Sequence, residues 1–201
     1  MNDVDILKKI EKKVLWLACW MIHNANHIRE NQDGLKVGGH QASSASIVSI
    51  MTALYFNILR PEDRVAVKPH ASPVFHAIQY LSGLQTKEKI ENFRGFGGAQ
   101  SYPSRTKDID DVDISTGSVG LGVAMTSFIS LIQDYVARKN FYENKPLGRM
   151  IALVGDAELD EGNVYECLQE GWKHDLRNVW WILIIIGSHL MVLFMKDFQS
   201  D

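Results

Sequence analysis

Apolar residues at Leu7, Ile10, Val14 and Leu17 recur at a spacing of three to four, which predicts an amphipathic helix at the start of the chain. Asp3, Asp5 and Glu11 lie where a secretory leader would be basic, so the stretch is expected to stay within the fold. The polar stretch "NHIRENQDGLKVGGHQASS" reads as a loop. After it, "ASIVSIMTALYFNIL" predicts a mostly buried helix stopped by Pro61. "RVAVKPHASP" is a short β-branched run that breaks at a Pro-His loop. "SPVFHAIQYLSGL" predicts a helix capped by Ser72, with Pro73 at its first position, and "TKEKIENFRGF" predicts another. From Arg94 the chain enters a long loop, "RGFGGAQSYPSRTKDIDDVDISTGSVG", and loops of such length are usually functional. A long apolar helix follows at about residues 120–139.

The next pattern is the most informative. "RMIALVG" predicts a strand, "DAELDEG" a turn, "NVYECLQEGWKHDL" a helix and "NVWWILI" a second strand. Strand, helix and strand in that order make a βαβ unit, so the expected fold class is α/β, a parallel sheet flanked by helices. Ligands of such sheets bind beyond the carboxyl ends of the strands, where "GDAELDEG" falls. The 201 residues suffice for one sizeable domain or half of a larger enzyme. A net charge of −3 gives no reason to expect nucleic acid or an acidic membrane as partner. Cys19 and Cys167 lie far apart in unrelated contexts, which points to a reducing, cytoplasmic setting without a disulfide framework.

Three constellations carry candidate chemistry. Asp156, after Gly155 at the end of a strand, suits either a hard-cation ligand or a cap for the following helix. "DISTGSVGLG" leads small residues into a helix N-terminus, an arrangement that favours anions and equally allows close helix packing. His40 in "GGHQASSAS" and His70 in "KPHASP" both sit in tight loops just before helices, a shared setting that suits proton transfer. His76 and His174 fall within helical patterns and receive no role.

In this order, "GGHQASSAS", "KPHASP", "ENFRGFGGAQSYPS", "STGSVGLG" and "GDAELDEG" resemble the thiamine-diphosphate-binding domain of the transketolase superfamily. The similarity is strongest to the homodimeric type of pyruvate dehydrogenase decarboxylating component. It implies thiamine diphosphate and Mg²⁺ as cofactors, with Asp156 as metal ligand and Gly155, Ala157 and Glu161 in the surrounding signature. Ala157 stands where the family has Gly. The resemblance further implies Ser43, Gly117, Ser118 and Val119 against the cofactor, and His40, His70 and Tyr102 as catalytic residues. Tyr102 occupies a position at which homodimeric pyruvate dehydrogenases have Tyr and transketolases typically have His. The implied substrates are a 2-oxoacid such as pyruvate or, alternatively, a sugar phosphate. The implied partner is a second copy or a complementary C-terminal half. A non-catalytic remnant that binds a partner chain is the third reading.

The last residues depart from that pattern. The family's second metal ligand, an Asn, follows the second strand, and Ile186 stands in its place. When residues 184–192 are written as codons behind one added G, synonymous choices permit Asp-Tyr-Asn-Arg-Gln-Pro (or Ser)-Leu-Asp-Gly. Residues 1–183 are therefore expected to form the diphosphate-binding domain with its N-terminal helix, and residues 184–201 an out-of-frame apolar tail. A chain of that kind is expected to lack turnover by itself. A membrane span over residues 179–195 is disfavoured, because the run is shorter than the roughly 20 residues needed and is interrupted by Gly187, Ser188 and His189.

Overall fold

A computed structural model describes residues 3–30, 34–141, 146–185 and 190–194, the last stretch by its backbone alone. The chain divides into two compact units, Met1–Leu59 with Pro69–Ser115, and Arg60–Lys68 with Thr116–Asp201.

The first unit is helical. α1 (Asp3–His23) buries Val14, Ala18 and Met21 along the expected stripe, with Leu7, Ile10 and Leu17 half-buried beside them. It continues as a π-helical turn, Asn24–Ile28, into the stretch read as loop. The long helix expected after it is broken into α2 (Gln41–Ala45), α3 (Val48–Ala53) and a π-turn, Leu54–Ile58. Next to the break, the Ser46 hydroxyl donates to the Ser43 carbonyl at 2.9 Å. α1 packs against α2, α3 and α4 (Ser72–Leu81). Ser72 does not cap α4. Ala71 holds the cap position, and the Ser72 hydroxyl is buried with no hydrogen-bond partner among the described residues. α5 (Lys87–Glu91) begins at Thr86, whose side chain accepts from Lys89 N, and stops short of the expected end. Three residues on, Arg94 takes a left-handed backbone (φ 59°).

The long loop that follows is organised by a histidine given no role from sequence. His76, fully buried in α4, bonds the Gln100 carbonyl through Nε2 at 2.7 Å and the Asp110 carboxylate through Nδ1. Asp108 accepts from Gln100 N at 3.0 Å and Ser104 N at 2.8 Å. One imidazole and two carboxylates thus hold residues 100–110, Tyr102 among them.

The second unit contains the sheet. β1 (Arg64–Ala66), β2 (Met150–Gly155) and β3 (Val179–Ile184) are parallel in that order, as the βαβ pattern implies. Every residue of β2 is buried, which explains a strand sequence without polar alternation. α6 (Leu121–Arg138) lies on the strands through Val123, Thr126, Ser127 and Ser130; the Thr126 and Ser127 hydroxyls donate to carbonyls one turn back, and Ser130 donates to Asn178 Oδ1. α7 (Gly162–Lys173) completes the crossover. A fourth strand, β4 (Leu190–Phe194), pairs antiparallel with β3, so the sheet is not purely parallel. Its pairing gives the open edge of β3 a backbone partner. Residues 179–184 form the strand that "NVWWILI" predicts, and residues 190–194, within the expected tail, also take strand backbone. Ile186, residues 187–189 and residues 195–201 lie outside the described residues. Among the described residues, no helix is long and apolar enough to cross a membrane.

At the amino ends of the strands, the Asp63 carboxylate bolts β1 to β2. It accepts from Arg60 N at 2.9 Å, Arg149 N at 2.7 Å and Arg149 Nε at 3.0 Å, with the side chain fully buried. Arg149 in turn stacks its guanidinium 4.2 Å above the Trp180 ring. Burial pushes the Asp63 carboxyl up, but the side-chain and backbone bonds from Arg149 outweigh it and hold the group below the ordinary carboxylate range. Asp63→Ala is expected to destabilise the protein by about 3–5 kcal/mol in denaturant unfolding, since it strands a mostly buried guanidinium. A group depressed in the folded state contributes fully above its unfolded value of roughly 4, and that contribution fades as pH falls through the folded value. The stability gap between wild type and Asp63→Asn should therefore be widest near neutrality and shrink on acidification. In the first unit, His76→Leu leaves Asp110 buried without its imidazole. A loss of about 3–5 kcal/mol is expected, read as a lowered denaturation midpoint.

Candidate functional site

Strand β2 ends at Gly155, and Asp156 opens a single 3₁₀ turn, Asp156–Asp160, before α7 begins. Asp156 is partly exposed, and its Oδ1 accepts from Ala157 N at 3.0 Å. It does not cap α7, since that position belongs to Glu161. The carboxylate is thus presented at the carboxyl end of a rigid, fully buried strand. Ala157 and Glu161 are exposed on the same turn.

The glycine-rich loop belongs to the same unit. Thr116 donates its hydroxyl to the Val67 carbonyl at 2.5 Å, anchoring the loop to the segment that follows β1. Gly117, Ser118 and Val119 are exposed, and the chain then turns at Gly120 into α6. Gly120 is required there for two reasons. Its φ is +74°, and a Cβ would come within 2.6 Å of Asn163 Oδ1 and 2.9 Å of a Val164 methyl.

Glu158 joins the two loops. One carboxylate oxygen accepts from Gly155 N at 3.0 Å, and the other accepts from Gly120 N at 3.2 Å. Sequence reading missed this residue. Four acids lie within six positions (Asp156, Glu158, Asp160, Glu161), and only the turn geometry selects the one that faces inward. A second omission is Lys68, two residues past β1 and only 8% exposed. A lysine directly before Pro-His reads as loop, although its place at the end of an apolar β-branched run was a signal. Burial pulls its ammonium below the usual lysine value, and the Glu158 and then the Asp156 carboxylates oppose that shift.

The other candidates lie in the first unit. His40 is exposed at the start of α2, with Ser43 half-buried within that helix. His70 is exposed in a 3₁₀ turn, Pro69–Ala71, and Tyr102 is half exposed in the long loop. Arg94, also unforeseen, secures the loop before His40. Its guanidinium donates to the Val37 carbonyl at 2.8 Å and lies 3.2 Å from where a Cβ on Gly39 would sit.

Comparison with known proteins shows the family and the fold. Residues 37–180 match the family described as "Transketolase, thiamine diphosphate binding domain". The pyruvate dehydrogenase E1 component of Mycolicibacterium smegmatis is 25% identical over 193 residues, covering 90% of this chain and 20% of that protein. Transketolase-like protein 2 of Mus musculus is 29% identical over 152 residues, covering 70% of this chain and 23% of the relative. Among solved structures, a transketolase from Leishmania mexicana superposes with a TM-score of 0.74 at 18% identity, over 88% of this chain and 27% of that one. A Pichia stipitis transketolase in complex with sedoheptulose 7-phosphate gives 0.71 at 22% identity, over 88% and 27%. These structures show the same fold, and the chain spans about a fifth to a quarter of the length of the proteins it matches. With a match over residues 37–180 and that fold in place, the chain belongs to the transketolase family of thiamine diphosphate binding domains.

Proposed function

We propose that this chain is the part of a thiamine-diphosphate- and Mg²⁺-dependent enzyme that holds the cofactor's diphosphate, in a protein of the pyruvate dehydrogenase kind. The observation that carries this reading is the coupling of the Gly117–Gly120 loop and the Gly155–Glu161 turn through one carboxylate, Glu158, at the carboxyl end of β2. The residues suit the group. Asp156 offers hard oxygen ligands of the kind Mg²⁺ takes, and the N-terminus of an 18-residue helix lies directly after the glycine loop. Gly120 leaves no room for a side chain against Asn163 and Val164, so the glycine loop closes directly onto the start of α7. The methyl of Ala157 is exposed on the turn rather than packed inside it.

When bound, thiamine diphosphate supplies an acidic thiazolium carbon and an electron sink for breaking a carbon–carbon bond. This chain's part is to bind and orient. Asp156 holds the metal, and Gly155, Ala157 and Glu161 shape the turn that presents it. Gly117, Ser118 and Val119 lie against the cofactor, with Ser43 as a further contact. His40, His70 and Tyr102 hold and donate protons near developing oxyanions. Tyr102, and the 90% coverage by the pyruvate dehydrogenase relative, support a 2-oxoacid such as pyruvate as substrate. The match to a transketolase-like protein supports the second reading, transfer of ketol units between sugar phosphates. On α6, Phe128, Ile132 and Tyr135 form an exposed stripe of three large residues. An apolar surface of that kind suits a partner chain, either a second copy or a complementary C-terminal half.

Calorimetric titration with thiamine diphosphate tests the proposal. Binding is expected with Mg²⁺ and is expected to disappear with a chelator; absence of heat under both conditions would overturn it. Asp156→Asn should weaken Mg²⁺-dependent binding by about 10- to 100-fold, the effect of losing one interaction with a charged group. Glu158→Ala leaves two backbone donors without their acceptor, so apo stability should drop by about 1–3 kcal/mol and affinity should fall with it. Mixing the chain with a complementary C-terminal half and assaying pyruvate against xylulose phosphate separates the two substrate readings. Turnover of pyruvate alone is expected.

A further inference from the structure

Lys68 stands out among the buried polar side chains of the second unit. Val65, Ala66 and Val67 are at most 2% exposed, and Lys68 ends that run at 8%. Lysine is almost never buried to this degree without a partner. Among the described residues, its ammonium makes no hydrogen bond, and no carboxylate lies within ion-pair distance. Glu158, the nearer acid in its electrostatic effect, already has both oxygens engaged by the Gly155 and Gly120 amides. Lys68 Nζ lies 3.3 Å from the point where a Cβ on Gly155 would sit, so it rests over the backbone of the residue that precedes Asp156.

The lysine stem is buried while its ammonium keeps some solvent contact, and a bound anion would supply the partner that the described residues do not. The surrounding charges say which anion. The Glu158 and Asp156 carboxylates both act on Lys68, so a bare phosphate brought to the ammonium also meets their repulsion. A divalent cation held by Asp156 reverses the sign, and metal and ammonium then converge on one small anion. A diphosphate carries oxygens enough to meet both.

We propose that Lys68 is a diphosphate-binding residue, its ammonium engaging the phosphate oxygens beside the metal held by Asp156. This rests on the cofactor reading above and deepens it by adding a cationic contact from the end of β1. The role is electrostatic and local to the second unit. A methyl at Gly155 would meet the ammonium at 3.3 Å and shift it by a few tenths of an ångström.

The test measures binding by calorimetry, with Mg²⁺ present, for three probes: thiamine diphosphate, inorganic pyrophosphate and thiamine without phosphate. The proteins are wild type, Lys68→Met and Lys68→Arg. Thermal unfolding without ligand serves as the structural control. Lys68→Met is expected to weaken both diphosphate probes by about 10- to 100-fold, the worth of one charge-assisted contact, and Lys68→Arg to recover part of that loss. The apo melting temperature of Lys68→Met should be unchanged or higher, because a buried charge has been replaced by an apolar chain of similar length. Wild-type binding of thiamine diphosphate with no loss in Lys68→Met overturns the role of Lys68 and leaves the cofactor reading standing. Pyrophosphate binding that depends on Lys68, without binding of thiamine diphosphate, upholds the role and overturns the cofactor reading. Failure of the wild type to bind either diphosphate overturns both.

Discussion

The Glu158 carboxylate accepts hydrogen bonds from two amides 35 residues apart in sequence, Gly120 at the entrance to α6 and Gly155 at the end of β2. The placing of the two loops of the second unit rests on that bridge. It sets a glycine-rich loop beside a strand-end aspartate, which neither element does by itself. A carboxylate at a helix N-terminus is favourable in its own right, because the free amides there carry partial positive charge. Asp156, two residues earlier, adds a second carboxylate to the same turn.

Rigidity around the bridge comes from the opposite end of the sheet. The fully buried β2 is tied to β1 by the Asp63–Arg149 pair, so the strand that presents Asp156 is fixed at its start as well as at its tip. In the first unit, side chains that touch no candidate site do similar work. Arg94 secures the loop before His40, and His76 with Asp108 and Asp110 secures the loop bearing Tyr102. Residues with exposed functional groups are thus held by neighbours with buried ones, as a preorganised site requires.

How much of this was legible in the sequence follows from the range of the interactions. The βαβ unit could be read because it is encoded locally: an unbroken apolar run, a Gly-Asp stop, a helical repeat and another apolar run. The glycine loop could be read for the same reason. Glu158 could not, because four neighbouring acids look alike until the 3₁₀ turn points one of them inward. Lys68 was hidden by its position before Pro-His, and its burial is a property of the folded sheet alone. His76 sat in a helical pattern that gave no hint of the loop it would hold. Ser72 had the right identity for a cap, yet the preceding 3₁₀ turn moved the helix start by one residue. The antiparallel direction of β4 depends on an open strand edge, which no local pattern records.

Diffraction from crystals grown with Mn²⁺ and thiamine diphosphate, recorded at the manganese edge, tests the central claim most directly. If Glu158 draws the two loops into one cradle, the anomalous peak should fall within about 2–2.5 Å of an Asp156 oxygen, with diphosphate density against the Gly117–Gly120 backbone. A metal peak elsewhere in the chain, or diphosphate density away from both loops, would contradict it.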